Sequence, residues 1–196
     1  MACDNFLWFP DAATGGILTK GGKAAQPQGE TTDKWFSEKK AMELIDVDFG
    51  VQQAETTGSG TTGAGAGKAN FSEFTINKFV DKASVPLFIA ACAGAHFPNV
   101  MLAVRKVGGE HLVYLQYIFR QVFVIGIDWT GGNDPPKETI KFKFGAMGIQ
   151  YVKQKPDGTA GDKIDASWSA VTNKPTLDIP DLAKAAPSYI AVSQAN

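Results

Sequence analysis

Ile45-Asp46-Val47-Asp48-Phe49-Gly50-Val51-Gln52 is the stretch on which the fold turns. Apolar side chains at 45, 47, 49 and 51 alternate with polar or small ones at 46, 48, 50 and 52. This period of two puts four apolar groups on one face of a strand and the polar set on the other. Such a strand has one face on a core and one in water, as antiparallel sheets allow. The pattern recurs in both directions. Asn5 to Phe9 reads as a first short strand, and alternation resumes at Phe71, Phe74, Ile76 and Phe79-Val80. It returns at Val100, Leu102 and Val104, and again at Ile140, Phe142 and Phe144, followed by Ile149, Tyr151 and Val152. Leu112 to Ile127, rich in Val, Ile, Tyr and Phe, is one long strand or two in succession. Ile164 to Val171, carrying Trp168, is the last strand.

Turn chemistry separates these runs. Gly108-Gly109, Gly131 to Pro136, and Lys155-Pro156-Asp157-Gly158 each supply the backbone freedom or fixed φ that a reversal needs. One helix is expected. Ser84 suits its N-cap, Pro86 its first turn, Leu87 to Ala93 its apolar body and Gly94 its end. Because that body is apolar on nearly every side, the helix is expected to be covered all round. Many strands with one helix define an antiparallel sandwich or barrel. Gly15 to Asp33, polar, Gly-rich and without period, reads as a loop. After Thr172, Pro175, Pro180 and Pro187 leave room for at most one short helix near Leu182.

Composition narrows the function. The 196 residues are 44% apolar and 20% charged, enough for a core without a disulfide or metal staple. A net charge of −1 gives no basis for attraction to nucleic acid or to an anionic membrane. The longest apolar stretch, Val85 to Ala95, is too short to span a bilayer, and Phe6 to Phe9 is too short for a secretion signal. The chain is therefore expected to fold in the cytoplasm and to leave, if it does, without a cleaved leader. Cys3 and Cys92 form no paired motif and read as buried free thiols.

Catalytic patterns fail on mechanism. Gly58-Ser59-Gly60-Thr61-Thr62-Gly63 matches GxGxxG, with Asp81 downstream, but the glycines lead into a strand-period segment where a phosphate site needs a helix N-terminus. The Walker pattern fails at Thr62, where its first Gly belongs, and at Ala69, where Ser or Thr should follow Lys68. With His96 and His111 as the only histidines, a histidine-rich metal site is excluded, and no cofactor is expected. Cys92 and His96 have the spacing of a nucleophile and base, but a thiol in an apolar helix resists ionisation. They read as a core cysteine beside a capping histidine. Asp46 and Asp48 share a strand face that could hold a cation, though a solvated or lumen-lining face is the commoner reason for such a pair. Trp35-Phe36 reads as packing over a barrel end.

The segment Thr56 to Gly67 holds no large side chain. Ordering such a dozen residues costs on the order of 10–20 kcal/mol, with almost no apolar area to offset it. Order becomes worthwhile against a neighbouring chain, where bare backbone can add to a sheet edge. The candidates for that contact are Thr57, Gly58, Ser59, Gly60, Thr61, Thr62, Gly63, Gly65, Gly67 and Lys68.

An ordered series of motifs now stands out: Ile45 to Gln53, Gly65-Ala66-Gly67-Lys68, Phe71 to Thr75, Val80-Asp81-Lys82-Ala83-Ser84, and Gly94 to Pro98. Arg105-Lys106-Val107-Gly108-Gly109, Tyr114-Leu115, Glu138, Tyr151 to Gly158 and Trp168 complete it. From Leu44 to Val171 this series resembles the Hcp (haemolysin-coregulated protein) family, the inner-tube subunit of type VI secretion systems, and Gly29-Glu30-Thr31-Thr32-Asp33 resembles the family's early loop. The resemblance implies a mainly β fold: a closed or split antiparallel β-barrel, one short α-helix beside it and an extended Gly-rich loop. It implies a barrel domain over 1–171 with a loop insertion at 10–28, and an extension over 172–196. It further implies homo-hexameric rings stacked into a hollow tube, a contractile sheath around it, a spike protein at its tip and small effector proteins in its lumen. In relatives the strand matching Leu44–Val51 lines the lumen, which makes Asp46 and Asp48 the cargo-contact candidates. The loop over Thr56–Lys68 would reach a neighbouring subunit or the next ring. The competing readings are a tube protein of another contractile injection system and, distantly, a nucleotide-binding β-barrel enzyme using Gly58 to Gly63.

Overall fold

A computed structural model describes residues 3–16, 25–53, 68–107, 112–132, 135–156 and 160–175. The strands are β1 (Cys3–Trp8), β2 (Met42–Leu44), β3 (Asp46–Asp48), β4 (Val51–Gln53), β5 (Ala69–Phe71), β6 (Phe74–Phe79), β7 (His96–Lys106), β8 (Val113–Thr130), β9 (Lys137–Lys143), β10 (Ala146–Gln154) and β11 (Ala160–Ser169). Helix α1 (Ser84–Ala93) lies between β6 and β7.

The 18-residue β8 organises the rest. Its first half pairs with β7 on one edge and β10 on the other, and its second half pairs with β9. β9 and β10 run along the same edge of β8 with one register: Arg120 faces Ala146 and Phe123 faces Lys143. Between them the ladder kinks. Gln121 takes φ 51, and Gly145 donates to the Arg120 carbonyl at 2.8 Å while accepting from the Ala170 amide at 2.8 Å. A β-carbon at Gly145 would meet the carboxamide oxygen of Gln121, which a turn of that flexible side chain relieves. At the kink one nine-stranded sheet divides into two halves, β2-β1-β7-β8-β10-β11 and β8-β9-β6-β3.

The far ends of this ladder, β2 and β3, are consecutive in the chain, and the Ile45 amide between them donates to the Asn77 carbonyl of β6 at 2.7 Å. The result is an antiparallel split barrel, in agreement with the expected fold class. The expected strand over residues 45–52 is instead two short ones, β3 and β4. Val47 and Phe49 pack on the core as the alternation requires, but Ile45 and Val51 are exposed. The break has a topological cause, because this segment crosses from one half of the sheet to the other and then leaves the barrel as the β4–β5 arm.

Inside the barrel, Phe74 stacks on Phe119 at 4.3 Å and on Phe142 at 5.4 Å, and Phe49 meets Phe74, Phe119 and Tyr117 edge-on. A second core lies on the outer face of β1, β7 and β8, where Phe36 stacks on Phe6 at 4.0 Å beneath the turn carrying Trp35. Trp35-Phe36 therefore covers a sheet face, not a barrel end. Gly29 is required by close approach, since a β-carbon there would strike the Ala41 carbonyl.

The helix departs from expectation in two ways. Ser84 is its first residue and not its cap. Asp81 supplies the turn before it, accepting from the Ala83 amide at 2.9 Å. Gly94 closes the helix in the left-handed conformation as expected. Second, α1 is not covered all round: Ser84, Leu87, Ala90 and Ala93 are buried, whereas Val85, Phe88, Ile89 and Cys92 are exposed. Cys3 is exposed as well, so neither thiol is the buried one expected. A sequence reading cannot see that β8 supplies a wall on one side of the helix only.

Phe74→Ala should cost about 3–5 kcal/mol, because three aromatic neighbours cannot close the space it leaves. Chemical denaturation of the variant against the parent measures this.

Candidate assembly surfaces

Two of the motifs that mark this chain are buried charge networks. β6 turns Phe74, Ile76 and Lys78 inward, so a lysine sits at a core position with 1% of its surface exposed. Lys78 is directly opposite Glu138 of β9 and reaches its Oε1 at 2.9 Å, while Asp81 Oδ1 lies at 2.6 Å. Ser84 donates to Glu138 Oε1 at 2.6 Å, and the Trp129 indole donates to Oε2 at 3.0 Å. The run Val80 to Ser84 thus exists to hold β6, β9 and the start of α1 together. The period-two reading held the signal for this: it places Lys78 on the apolar face of its strand.

The second network centres on Arg105, which is buried against the Phe6 ring at 4.8 Å. Its two terminal nitrogens donate to Asp33 at 2.6 Å and Asp4 at 2.8 Å, tying the early loop and β1 to β7. Burial pushes the Asp33 carboxyl up, but hydrogen bonds from Arg105 and from the Trp35 and Phe36 amides outweigh it and hold Asp33 below its ordinary 3.8. Nearby, the Tyr114 hydroxyl lies 3.4 Å from the Cys3 sulfur, and that contact together with burial pushes it up to about 12. The phenol stays protonated at neutral pH.

The expected cation or cargo residues, Asp46 and Asp48, are exposed on β3 on the face opposite Val47. The Asp46 carboxylate accepts from the Val47 amide at 2.9 Å. Among the described residues no three His, Cys, Asp or Glu side chains gather as a metal site. His96 is the first residue of β7, its backbone paired with Thr14 and its ring beside Phe123 at 5.4 Å, and it does not cap the helix. Of the loop candidates only Lys68 is among the described residues, exposed at the foot of the β4–β5 arm; residues 57–67 lie outside them. The arm pairs Gln53 with Ala69, so the glycines join two strands of a hairpin. They lead into β5, not into the helix a phosphate site requires.

Two apolar faces are exposed on this frame. On α1, Val85, Phe88, Ile89 and Cys92 share one side at helical spacing, and Phe88 meets the exposed Trp129 of β8 at 6.0 Å. Val85 is 68% exposed. The other face is a groove of about 350 Å³ between the β4–β5 arm and the β10–β11 pair. Val51, Phe71, Met147, Ile149 and Trp168 line it, and Tyr151 and Ile164 continue it outward. Sequence reasoning missed the helix face because a run of apolar residues does not say which of them a neighbour covers. Among the described residues no helix is long and apolar enough to cross a membrane.

A split barrel with buried ion networks and two separate apolar faces on its outside is the build of a structural subunit. The chain belongs to the Hcp family of type VI secretion, whose members are secreted tube proteins: residues 16–151 match the family model described as "Type VI secretion system effector, Hcp". Protein hcp1 of Pseudomonas aeruginosa is 31% identical over 110 residues, covering 54% of this chain and 68% of that protein. A solved type six secretion system protein superposes with a TM-score of 0.72 at 33% identity, over 89% of this chain and all of its own. Hcp1 from Salmonella typhimurium shares the fold, with a TM-score of 0.67 at 24% identity, over 90% of this chain and all of its own.

Because the folded Asp33 carboxyl is depressed, the stability it gives is full above the ordinary 3.8 and is lost as pH falls through the lower folded value. Asp33→Asn should therefore be less stable than the parent at neutral pH, with a gap that is flat above 3.8 and closes in acid. Urea titrations across that range read it out.

Proposed function

We propose that this protein is the inner-tube subunit of a type VI secretion system: hexameric rings of it stack into a hollow tube that a contracting sheath propels outward behind a spike. The observation that carries this reading is that the subunit exposes two different apolar faces, one on α1 and Trp129, the other in the groove beside β10 and β11. A twofold dimer joins one patch to a copy of itself. Two unlike patches favour head-to-tail contact, which closes into a ring when the rotation allows. Clustered exposed apolar groups of this kind mark interaction surfaces.

Residues 1–171 form the ring subunit and 172–196 an extension to it. Asp46 and Asp48 face the lumen and contact small effector proteins carried there. The Thr57–Lys68 loop, rooted in the β4–β5 ladder, reaches a neighbouring subunit or the next ring. The subunit acts by assembly and carriage and not by catalysis. It folds in the cytoplasm before firing and is then secreted or delivered into a target cell.

Electron microscopy of the purified protein should show rings; a strictly monomeric species at high concentration would overturn the reading. Ile89→Glu should leave circular dichroism unchanged and abolish rings, since it puts a charge in the apolar helix face. Deleting residues 57–67 should spare the barrel and impair stacking and secretion, and unimpaired secretion would count against the role given to the loop.

A further inference from the structure

The foot of the β4–β5 arm borders a second cavity, of about 460 Å³, beside the apolar groove. Lys68, Asn70, Phe71 and Ser72 of the arm form one side of it, and Lys143 and Phe144, where β9 ends, form the other. Its walls are held by the frame. The Ser72 amide and hydroxyl both donate to the Gly50 carbonyl, at 3.0 and 3.3 Å. The Ala69 amide donates to Asn173 Oδ1 at 3.3 Å. The Phe71 and Phe144 rings meet at 5.4 Å, and Phe144 packs on Phe119 at 4.9 Å, which ties the floor of the cavity to the barrel core.

The charge of this cavity is one-sided. Among the described residues two lysines line it and no carboxylate does. Lys68 and Lys143 are both exposed, and neither has an ion-pair partner among the described residues. Glu73 lies one residue beyond the Phe74–Phe142 pair of the β6–β9 ladder, yet it forms no ion pair with Lys143.

A cleft lined by one sign of charge over low-dielectric walls concentrates its field on whatever enters. Two cations on one cavity repel each other, and an anion between them turns that repulsion into attraction. Lysine is a point charge with rotatable donors, without the planar fork of arginine, so it selects for charge more than for shape. The aromatic floor selects the rest of the ligand, because ring surfaces favour an apolar body over water. Inorganic phosphate meets only the first of these demands.

We infer that this cavity binds a carboxylate borne on an apolar body, with the acid between Lys68 and Lys143 and the body against Phe71 and Phe144. An acidic side chain flanked by apolar ones in a protein segment offers this chemistry, and so does a free organic acid. Such a site needs neither a ring nor a tube.

Ligand-observed saturation-transfer NMR on the full chain tests it with a terminally blocked Leu-Glu-Leu tripeptide, its Leu-Gln-Leu counterpart and hexanoate. Leu-Glu-Leu should bind at least about tenfold tighter than Leu-Gln-Leu at low salt, and high salt should remove most of that margin. Lys68→Glu and Lys143→Glu should each weaken Leu-Glu-Leu by about tenfold or more. Lys39→Glu, on the exposed turn after Phe36, should leave it unchanged. All three lysines are exposed, so circular dichroism of the variants should match the parent. Lys68→Gln and Lys143→Gln, which remove charge without reversing it, keep the test decisive where a reversal disturbs folding. Hexanoate binding as tightly as Leu-Glu-Leu would identify a free acid as the ligand, and weaker hexanoate binding a protein segment; both support the site. No binding of either acid, equal binding of Leu-Gln-Leu, or lysine variants without effect would overturn it.

Discussion

β8 has more hydrogen-bonding length than one flat sheet can use. Its 18 residues pair with β7 on one edge and with β10 and then β9 along the other. The kink at Gln121 and Gly145 turns the two halves of the hairpin apart while the register carries through it from Arg120–Ala146 to Val124–Phe142, and a bulge before Gly126 then shifts it by one. Everything else is placed by that turn. The core aromatics lie between the two halves of the sheet, and the segment from Met42 to Asp48 runs from one half to the other. The end of β11 is fixed as well, through the bond from Ala170 to the Gly145 carbonyl.

A split barrel leaves seams, and the buried charges sit where separate chain segments must be held together. Lys78 and Glu138 join β6 to β9 and reach Asp81 and Ser84 at the start of α1. Arg105 joins β7 to β1 and to the early loop. Removing one member of such a set leaves a buried charge without its partner, at a cost of about 3–5 kcal/mol. That cost is a physical reason for these residues to occur together. Of the motifs through which the chain resembles its family, Val80 to Ser84 and the one that opens with Arg105 act as joints of the frame, whereas others line the groove through Val51, Phe71 and Trp168.

The frame also explains why the outer apolar faces coexist with a folded subunit. The barrel interior and the outer Phe6–Phe36 layer supply two cores without any help from the exposed face of α1, and of the groove side chains Met147 packs against the first. Apolar groups left outside are then free to serve contacts between copies. The glycine-rich segment fits the same division. Its flanking strands β4 and β5 are paired to each other and lie off the main sheet, so an arm can extend without disturbing the barrel.

How much of this was legible in the sequence depends on the range of the forces involved. Period-two alternation located nearly every strand, the Gly and Pro clusters marked the breaks between strands, and Gly94 located the end of the helix, because each of these is decided by neighbours in the chain. The lysine at an inward position of β6 was equally visible, although its partner Glu138 was not, since 60 residues separate them and only the β6–β9 register brings them face to face. The single strand expected over Ile45 to Gln52 became two because its two ends are claimed by different sheets, β3 by the main one and β4 by the β4–β5 arm. The burial expected for Cys92 and for the whole helix surface failed for the same reason. Local pattern states which side chains prefer to leave water. Which of them do is decided by the tertiary packing, and α1 has a wall on one side only.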